Sequence, residues 1–276
     1  MSLLEVETLR VAFDTEAGPV EAVRGISFAV DRERVAIVGE SGSGKSVTGR
    51  SILRLVRPPG RVAADRMHFD GQDLLALSER RMRAIRGQRI AMVMQDPKFA
   101  LNPVMTIGDQ MTEGLRYRDG MSRRKARSIA IEMLAAVQIR DGERVMRAYP
   151  HEMSGGMGQR VMIAMMLIPD PDLLIADEPT SALDVTVQAE ILAILDDLVK
   201  QRGMGLIFIS HDLRLVSRFC DRVLVMYRGK IVERLDANHL ERAQHPYTRG
   251  LLNCLPSIGG DRGVLPVLNR DAAWAE

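Results

Sequence analysis

The stretch GESGSGKS at residues 39–46 is rich in glycine and serine and directly follows the apolar run RVAIV. It fits the pattern G-x-x-x-x-G-K-[ST], in which the glycines let the backbone curl so that successive N–H groups point towards phosphate oxygens. After Gly44 apolar residues recur at near-helical spacing, which predicts a strand, this loop and then a helix whose positive N-terminal end faces the same ligand. The sequence therefore predicts a polyphosphate site built mainly from backbone.

Two residues of the loop have predicted roles of their own. Lys45 should reach the β- and γ-phosphates of a nucleotide, and Ser46 should offer its hydroxyl to Mg²⁺. The alternative interpretation is a glycine-rich turn with a solvated lysine. The residues predicted to contact the nucleotide here are Gly39, Glu40, Ser41, Gly42, Ser43, Gly44, Lys45, Ser46 and Val47.

A second stretch, LLIADEP at residues 173–179, reads as a buried strand that ends in two carboxylates. Asp177 is expected beside the strand that leads into the glycine-rich loop, where it can hold Mg²⁺. Glu178 can then polarise a water molecule for in-line attack on the γ-phosphate. The alternative is that both carboxylates only cap the following helix. Together with the loop, they predict hydrolysis of a nucleoside triphosphate.

The remaining pattern is that of a parallel α/β protein with a strand-rich N-terminal part. Ser122 is a predicted helix cap, Gly229 is predicted in the turn of a hairpin, and the chain after about residue 241 is expected to have no independent fold. Strands are predicted at residues 3–13, 20–30, 34–39, 89–95, 172–177, 205–210 and 222–234, and helical segments after residue 44, within residues 96–168 and at 187–200.

Composition excludes several classes of protein. The chain of 276 residues has 38 basic and 36 acidic residues, so its net charge of +2 provides no bulk attraction to nucleic acid or anionic membranes. The N-terminal sequence lacks the pattern of a signal peptide, and the longest apolar run, at residues 161–168, is too short to span a bilayer. Cys220 and Cys254 are too few for a disulfide framework or a metal cage, and we interpret both as idle thiols in a cytosolic protein.

The stretch MSGGMGQR at residues 153–160 resembles the LSGGQ signature of ABC-type ATPases, with Met153 and Met157 at the positions of the leucine and the final glutamine. The variant S-G-G-M-x-Q-R is similar to the oligopeptide, dipeptide and nickel branch of the ABC importers, as are residues 92–111 and 245–252. In that family the signature contacts the ATP that a partner subunit holds. The resemblance assigns this role to Ser154, Gly155, Gly156 and Gln159.

Other family elements occur in the expected order. Gln95 resembles the Q-loop glutamine, which implies a contact with Mg²⁺ and a part in catalysis together with Lys45, Glu178 and His211. His211 resembles the switch histidine, although a lone histidine at a strand end otherwise indicates a cap or a core residue. Phe13 lies where the family has an aromatic residue stacked on adenine, and core packing is the alternative. The D-loop is assigned to Ser181, Ala182, Leu183 and Asp184.

The resemblance also implies a fold class. This is an α/β P-loop NTPase of the ABC type, with a RecA-like parallel-sheet core, an N-terminal antiparallel β subdomain and an inserted α-helical subdomain. The ATPase domain is expected at residues 1–256, with the helical subdomain at about 96–165, and residues 257–276 form a short C-terminal tail. With only Cys254 near its end, the chain is not expected to hold an iron–sulfur cluster.

The implied function is that of an ATP- and Mg²⁺-dependent subunit of a peptide importer. Its implied partners are two membrane permeases, a second ATPase subunit that is a paralogue or a copy of this chain, and an extracytoplasmic substrate-binding protein, with no nucleic acid. The implied location is the cytoplasmic face of the inner membrane. The alternatives are a nickel or metal-chelate importer, a soluble ABC ATPase acting on nucleic acid or ribosomes, and an accessory subunit of a carbon–phosphorus lyase.

Overall fold

The computed structural model describes residues 2–181, 183–254 and 274. They fall into two compact units, one spanning Met1–Met82 together with Gly205–Glu276, the other spanning Arg83–Met204. The strands are β1 (Leu4–Thr15), β2 (Gly18–Val30), β3 (Arg34–Val38), β4 (Gly60–Ala63), β5 (Arg66–Phe69), β6 (Gln72–Asp73), β7 (Ile90–Val93), β8 (Leu173–Asp177), β9 (Gly205–Ser210), β10 (Arg222–Tyr227) and β11 (Lys230–Asp236).

Ten α-helices and two short 3₁₀ helices, at Pro150–Glu152 and Ala237–Arg242, lie within the described part of the chain. Among these residues, none of the helices has both the length and the apolar composition that crossing a bilayer requires. The α-helices are α1 (Lys45–Ile52), α2 (Glu79–Ile85), α3 (Pro97–Ala100), α4 (Ile107–Tyr117), α5 (Arg123–Ala136), α6 (Gly142–Arg147), α7 (Gly155–Leu167), α8 (Val185–Arg202), α9 (Leu213–Phe219) and α10 (Pro246–Asn253).

The first unit contains an antiparallel sheet in the order β2-β1-β5-β6, with β4 also paired to β1. The alternation that predicted β1 is interrupted in the structure, because Leu4 and Val6 are buried before Thr8, and Leu9 and Val11 after it. Thr8 has a φ of 52° at a register shift between β1 and β2. This β-bulge inserts one residue, so that both halves of the strand keep their apolar side chains on the core face.

The parallel part of the first unit positions the glycine-rich loop. Strand β3 lies between β10 and β9, parallel to both, and β11 pairs antiparallel with β10 as the predicted hairpin. All six residues of β9 are buried, which fits a central strand with covered faces. Because the carboxyl ends of parallel strands meet at one edge of a sheet, the segments that follow β3 and β9 lie side by side.

The second unit combines the parallel pair β7 and β8 with helices α3 to α8. The predicted cap is confirmed, since Ser122 precedes α5 and its side chain accepts a hydrogen bond from the backbone N–H of Lys125 at 3.3 Å. Helix α7 was predicted to be buried, and Val161, Met162 and Ile163 have at most 1% of their surface exposed. The extents of the predicted ATPase domain and helical subdomain stay predictions, and residues 257–276 lie, except for Trp274, outside the described residues.

The segment after residue 241 has more order than the sequence indicated. Helix α10 begins at Pro246, and its N-cap residue His245 accepts a hydrogen bond at Nδ1 from the backbone N–H of Tyr247 at 3.2 Å. The eight residues of α10 are too few for a clear helical period, so packing of its buried residues rather than local pattern defines it. Helix α10 is therefore part of the first unit rather than an independent fold.

Candidate nucleotide-binding site

The glycine-rich loop connects β3 to α1, as the sequence predicted. Gly39, its first residue, has a φ of +152°, and a Cβ atom built there would lie 2.2 Å from the carbonyl oxygen of Met226 on β10. Backbone cannot yield to such a contact as a flexible side chain could, so only glycine fits. The loop is thus held against the edge of the sheet, with its shape fixed by the neighbouring strand.

Two buried polar side chains belong to the same loop. Ser43 is 5% exposed, and its Oγ has no hydrogen-bond partner among the described residues. Lys45 is 4% exposed, and its Nζ donates to the carbonyl oxygens of Gly39 at 2.8 Å and Glu40 at 2.9 Å. A buried hydroxyl, an ammonium group and the first turn of α1 therefore converge in one loop, a donor set that fits an anion such as a polyphosphate.

The remaining loop residues differ in exposure. Ser41 and Gly42 are exposed, whereas Ser46 and Val47, in the first turn of α1, are half-buried. The hydroxyl of Ser46 is a hard oxygen donor of the kind that Mg²⁺ prefers. The loop therefore fits the phosphates of a nucleotide and offers one oxygen ligand to a metal ion bound with them.

Two elements hold the loop from outside. The backbone N–H of Gly229, in the turn between β10 and β11, donates to the carbonyl oxygen of Ser43 at 3.0 Å. The hydroxyl oxygen of Tyr247 on α10 accepts a hydrogen bond from the backbone N–H of Glu40 at 2.9 Å. The sequence does not indicate that Tyr247 belongs to the site. Residues 245–252 resemble the importer branch, but no local pattern in them predicts a contact with Glu40.

Phe13 and His211 also belong to the first unit. Phe13 on β1 is half-buried, and a Cβ atom at Gly60 would lie 2.7 Å from its Cε1, so the ring covers that glycine. His211 is exposed and directly follows β9, whose last residue Ser210 pairs with Val38 at the end of β3. His211 and the glycine-rich loop thus follow the ends of neighbouring parallel strands.

The two carboxylates and Gln95 lie in the second unit. Val93 on β7 pairs with Ala176 on β8. Gln95 comes two residues after Val93 and Asp177 one residue after Ala176, so both lie at the carboxyl ends of this strand pair. Asp177 is 3% exposed, whereas Gln95 is exposed. Glu178 has a φ of 47°, in the left-handed region that non-glycine residues rarely adopt. The edge therefore presents an amide and two carboxylates, one of them on strained backbone.

The predicted signature begins helix α7. The side chain of Ser154, the N-cap residue, accepts a hydrogen bond from the backbone N–H of Met157 at 3.3 Å, and both Ser154 and Gly155 are exposed. A Cβ atom at Gly156 would lie 2.7 Å from Cγ1 of Val187 on α8. Gln159 is instead 1% exposed, and its Nε2 has no hydrogen-bond partner among the described residues. An ATP contact by Gln159 stays a prediction.

The predicted D-loop leads into α8. Asp184 is the N-cap residue of this helix, and its Oδ1 accepts hydrogen bonds from the backbone N–H groups of Thr186 and Val187 at 3.1 and 3.0 Å. Ser181 is exposed and Leu183 is half-buried, while Ala182 lies outside the described residues. The signature and the D-loop are neighbours, because Gly155 faces the side chain of Leu183.

Comparison with known proteins shows to which protein family this chain belongs. The profile described as "ABC transporter" matches residues 23–181, more than half of the chain. This chain belongs to the ABC transporter family. In this ABC transporter family member the matched stretch begins in β2 and ends at Ser181, so it contains the glycine-rich loop, Gln95, the signature and both carboxylates. Phe13, His211 and Tyr247 lie outside it.

Relatives and solved structures agree with this assignment. The "Dipeptide transport ATP-binding protein DppD" of Escherichia coli (strain K12) is 46% identical over 270 residues, which cover 97% of this chain and 83% of DppD. The "Oligopeptide transport ATP-binding protein OppD" of Bacillus subtilis (strain 168) is 48% identical over 259 residues, 93% of this chain and 72% of OppD.

A dimeric post-hydrolysis structure of the ATP-binding cassette MJ0796 bound to ADP and Pi matches the fold with a TM-score of 0.75. The two proteins are 26% identical, and the match covers 85% of this chain and 98% of the cassette. The family and the fold class predicted from the sequence are thereby confirmed.

Proposed function

We propose that this ABC transporter family member is the ATP-binding and ATP-hydrolysing subunit that powers a peptide importer. The observation that carries the proposal is the identity of 46% to 48%, over 93% to 97% of the chain, with two proteins named for dipeptide and oligopeptide transport. These names favour peptides over nickel or a metal chelate as the cargo, and transport over the soluble alternatives.

Several residues of the chain have separate roles in ATP hydrolysis. The loop N–H groups and the ammonium of Lys45 bind the β- and γ-phosphates of ATP. Glu178 accepts a proton from the attacking water as general base. Gln95 and His211 orient that water and the γ-phosphate. Phe13 offers its ring to the adenine. Mg²⁺, held by Ser46, Gln95 and Asp177, would neutralise charge on the phosphate oxygens.

Two copies of an ATPase subunit complete each site in this proposal. Ser154 and Gly155 are exposed at the start of α7, a helix of 13 residues whose N-terminal end favours an anion. That exposed end is suited to contact the γ-phosphate of an ATP bound by a second subunit, with the D-loop beside it. The dimeric structure of the MJ0796 cassette supports the pairing of two such subunits. The second subunit is a copy of this chain or a paralogue.

The complete transporter in this proposal has further parts. Two membrane permeases bind the ATPase subunits at the cytoplasmic face of the inner membrane, and an extracytoplasmic binding protein delivers the peptide. ATP-driven closure of the ATPase dimer then moves the permeases, which couples hydrolysis to import.

The test is to purify the tagged chain from detergent-solubilised membranes and to measure ATP hydrolysis by the eluate after reconstitution. We expect two permeases to copurify and peptides, added together with the binding protein, to stimulate hydrolysis, whereas Ni²⁺ should not. Lys45→Ala should abolish turnover. Stimulation by Ni²⁺ alone would show that the cargo is nickel rather than a peptide. Elution with soluble enzymes only would refute the role in transport.

A further inference from the structure

A buried tyrosine connects helix α10 to the beginning of the nucleotide loop. Tyr247 has 0% of its surface exposed, and its hydroxyl oxygen accepts the hydrogen bond from the backbone N–H of Glu40. Its ring packs against Tyr227, with ring centroids 4.4 Å apart, and against Trp274 at 6.2 Å. Tyr227 follows Met226, the residue whose carbonyl oxygen excludes a side chain at Gly39. The ring and the loop therefore belong to one packed cluster.

Helix α10 is itself attached to β11. Oε1 of Glu233 accepts hydrogen bonds from the backbone N–H groups of Gln244 at 2.6 Å and His245 at 3.1 Å. His245 in turn caps the helix through its contact with the backbone of Tyr247. A continuous series of contacts thus runs from the second strand of the hairpin, through the start of α10, to the peptide group of Glu40.

The loop is therefore fixed at two points by groups from outside it. Tyr247 holds the N–H of Glu40, and Gly229 holds the carbonyl oxygen of Ser43. Between them lie Ser41 and Gly42, which are exposed. A loop that spends only a fraction of its time in the binding-competent conformation binds with an affinity reduced by that fraction. External hydrogen bonds at both ends of an exposed, glycine-containing segment raise this fraction.

We propose that Tyr247 is a positioning residue for ATP, which keeps the loop at residues 39–46 in the conformation that receives the phosphates. The inference rests on the proposed function as an ATPase. Tyr247 acts through the peptide group of Glu40. Removing one such buried hydrogen bond should shift the conformational equilibrium of the loop by about threefold to tenfold, and it should weaken the affinity for ATP by up to that factor.

The test compares Tyr247→Phe, which removes the hydroxyl but keeps the ring packing, with Tyr117→Phe as a matched control. Tyr117 is 78% exposed on α4, so loss of its hydroxyl should change nothing. The Kd for ATP is measured on the purified full chain, and KM and kcat are measured on the assembled transporter. We expect Tyr247→Phe to raise both the Kd and the KM for ATP, by up to about tenfold, with kcat unchanged.

A purely structural role predicts a different result. It would lower the melting temperature and the fraction of active protein, and hence kcat, while the Kd and KM for ATP stayed at the parent values; that result would overturn the inference. If Tyr247→Phe does not fold, the same measurements are made on Glu233→Ala, which detaches the start of α10. A raised KM for ATP with unchanged kcat would support the inference, and a lowered kcat with unchanged KM would overturn it. A parent chain that neither binds nor hydrolyses ATP would instead refute the proposed function, before any variant is compared.

Discussion

Two alanine substitutions in the nucleotide loop should lower the free energy of unfolding by different amounts, although both replace a glycine with positive φ. Gly39 has a φ of +152° and Gly42 a φ of +80°, so each alanine meets backbone strain of about 1–2 kcal/mol. At Gly42 nothing lies within 4 Å of the added Cβ atom. At Gly39 the Cβ atom would be 2.2 Å from the carbonyl oxygen of Met226 and 2.8 Å from Oγ of Ser43. Overpacking against backbone adds about 1–3 kcal/mol.

We therefore expect Gly39→Ala to lower the free energy of unfolding by about 2–5 kcal/mol, and Gly42→Ala by only about 1–2 kcal/mol. Thermal unfolding of the purified chain without nucleotide measures the difference. With about 2–4 °C per kcal/mol for a chain of this size class, Gly39→Ala should melt at least about 4 °C below the parent, with Gly42→Ala between them. Equal shifts for the two variants would refute the argument that close approach of β10 fixes the loop.

Three further predictions concern other parts of the chain. Gly156→Ala should destabilise the protein by about 1–3 kcal/mol, because its Cβ atom would lie 2.7 Å from Cγ1 of Val187, and adding Val187→Ala should restore part of the loss in a denaturant titration. Burial raises the pKa of the Cys220 thiol, so it stays protonated and should resist alkylation at pH 8 while the half-exposed Cys254 reacts, as mass spectrometry of labelled peptides would show. Glu178→Gln should retain ATP binding and lose at least about 100-fold in turnover, and turnover at the parent rate would remove Glu178 from the role of general base.

The elements that could be predicted from the sequence are those with a local cause. Strand β3 is a run of apolar residues because both of its faces are covered, and the glycines after it are needed where they stand. The part of helix α7 that follows Arg160 is apolar on all sides and has Val161, Met162 and Ile163 buried, while Ser122 caps α5 through a contact three residues away. In each case the interaction that decides the structure involves residues a few positions apart, so the local sequence pattern predicts it.

The features that could not be predicted depend on contacts between distant segments. Tyr247 and Glu40 are separated by 207 positions, and nothing near either residue indicates that one holds the other. The resemblance assigns Gln159 to the signature, yet its side chain is only 1% exposed in the second unit. A motif fixes which residues begin a helix, but which side of the helix is covered depends on the elements packed against it.

The backbone of Glu178 bears on the role proposed for its side chain. Its φ of 47° would suit glycine without strain, whereas a glutamate there costs free energy. The structure compensates locally, since both the backbone N–H and the Oγ of Ser181 donate to the carbonyl oxygen of Glu178, at 3.3 and 3.2 Å. Since glycine would avoid this strain, a carboxylate at the position immediately after the buried Asp177 indicates a functional role for the side chain. A general base directed by the sharp turn at the end of β8 is such a role, and the turnover of Glu178→Gln tests it.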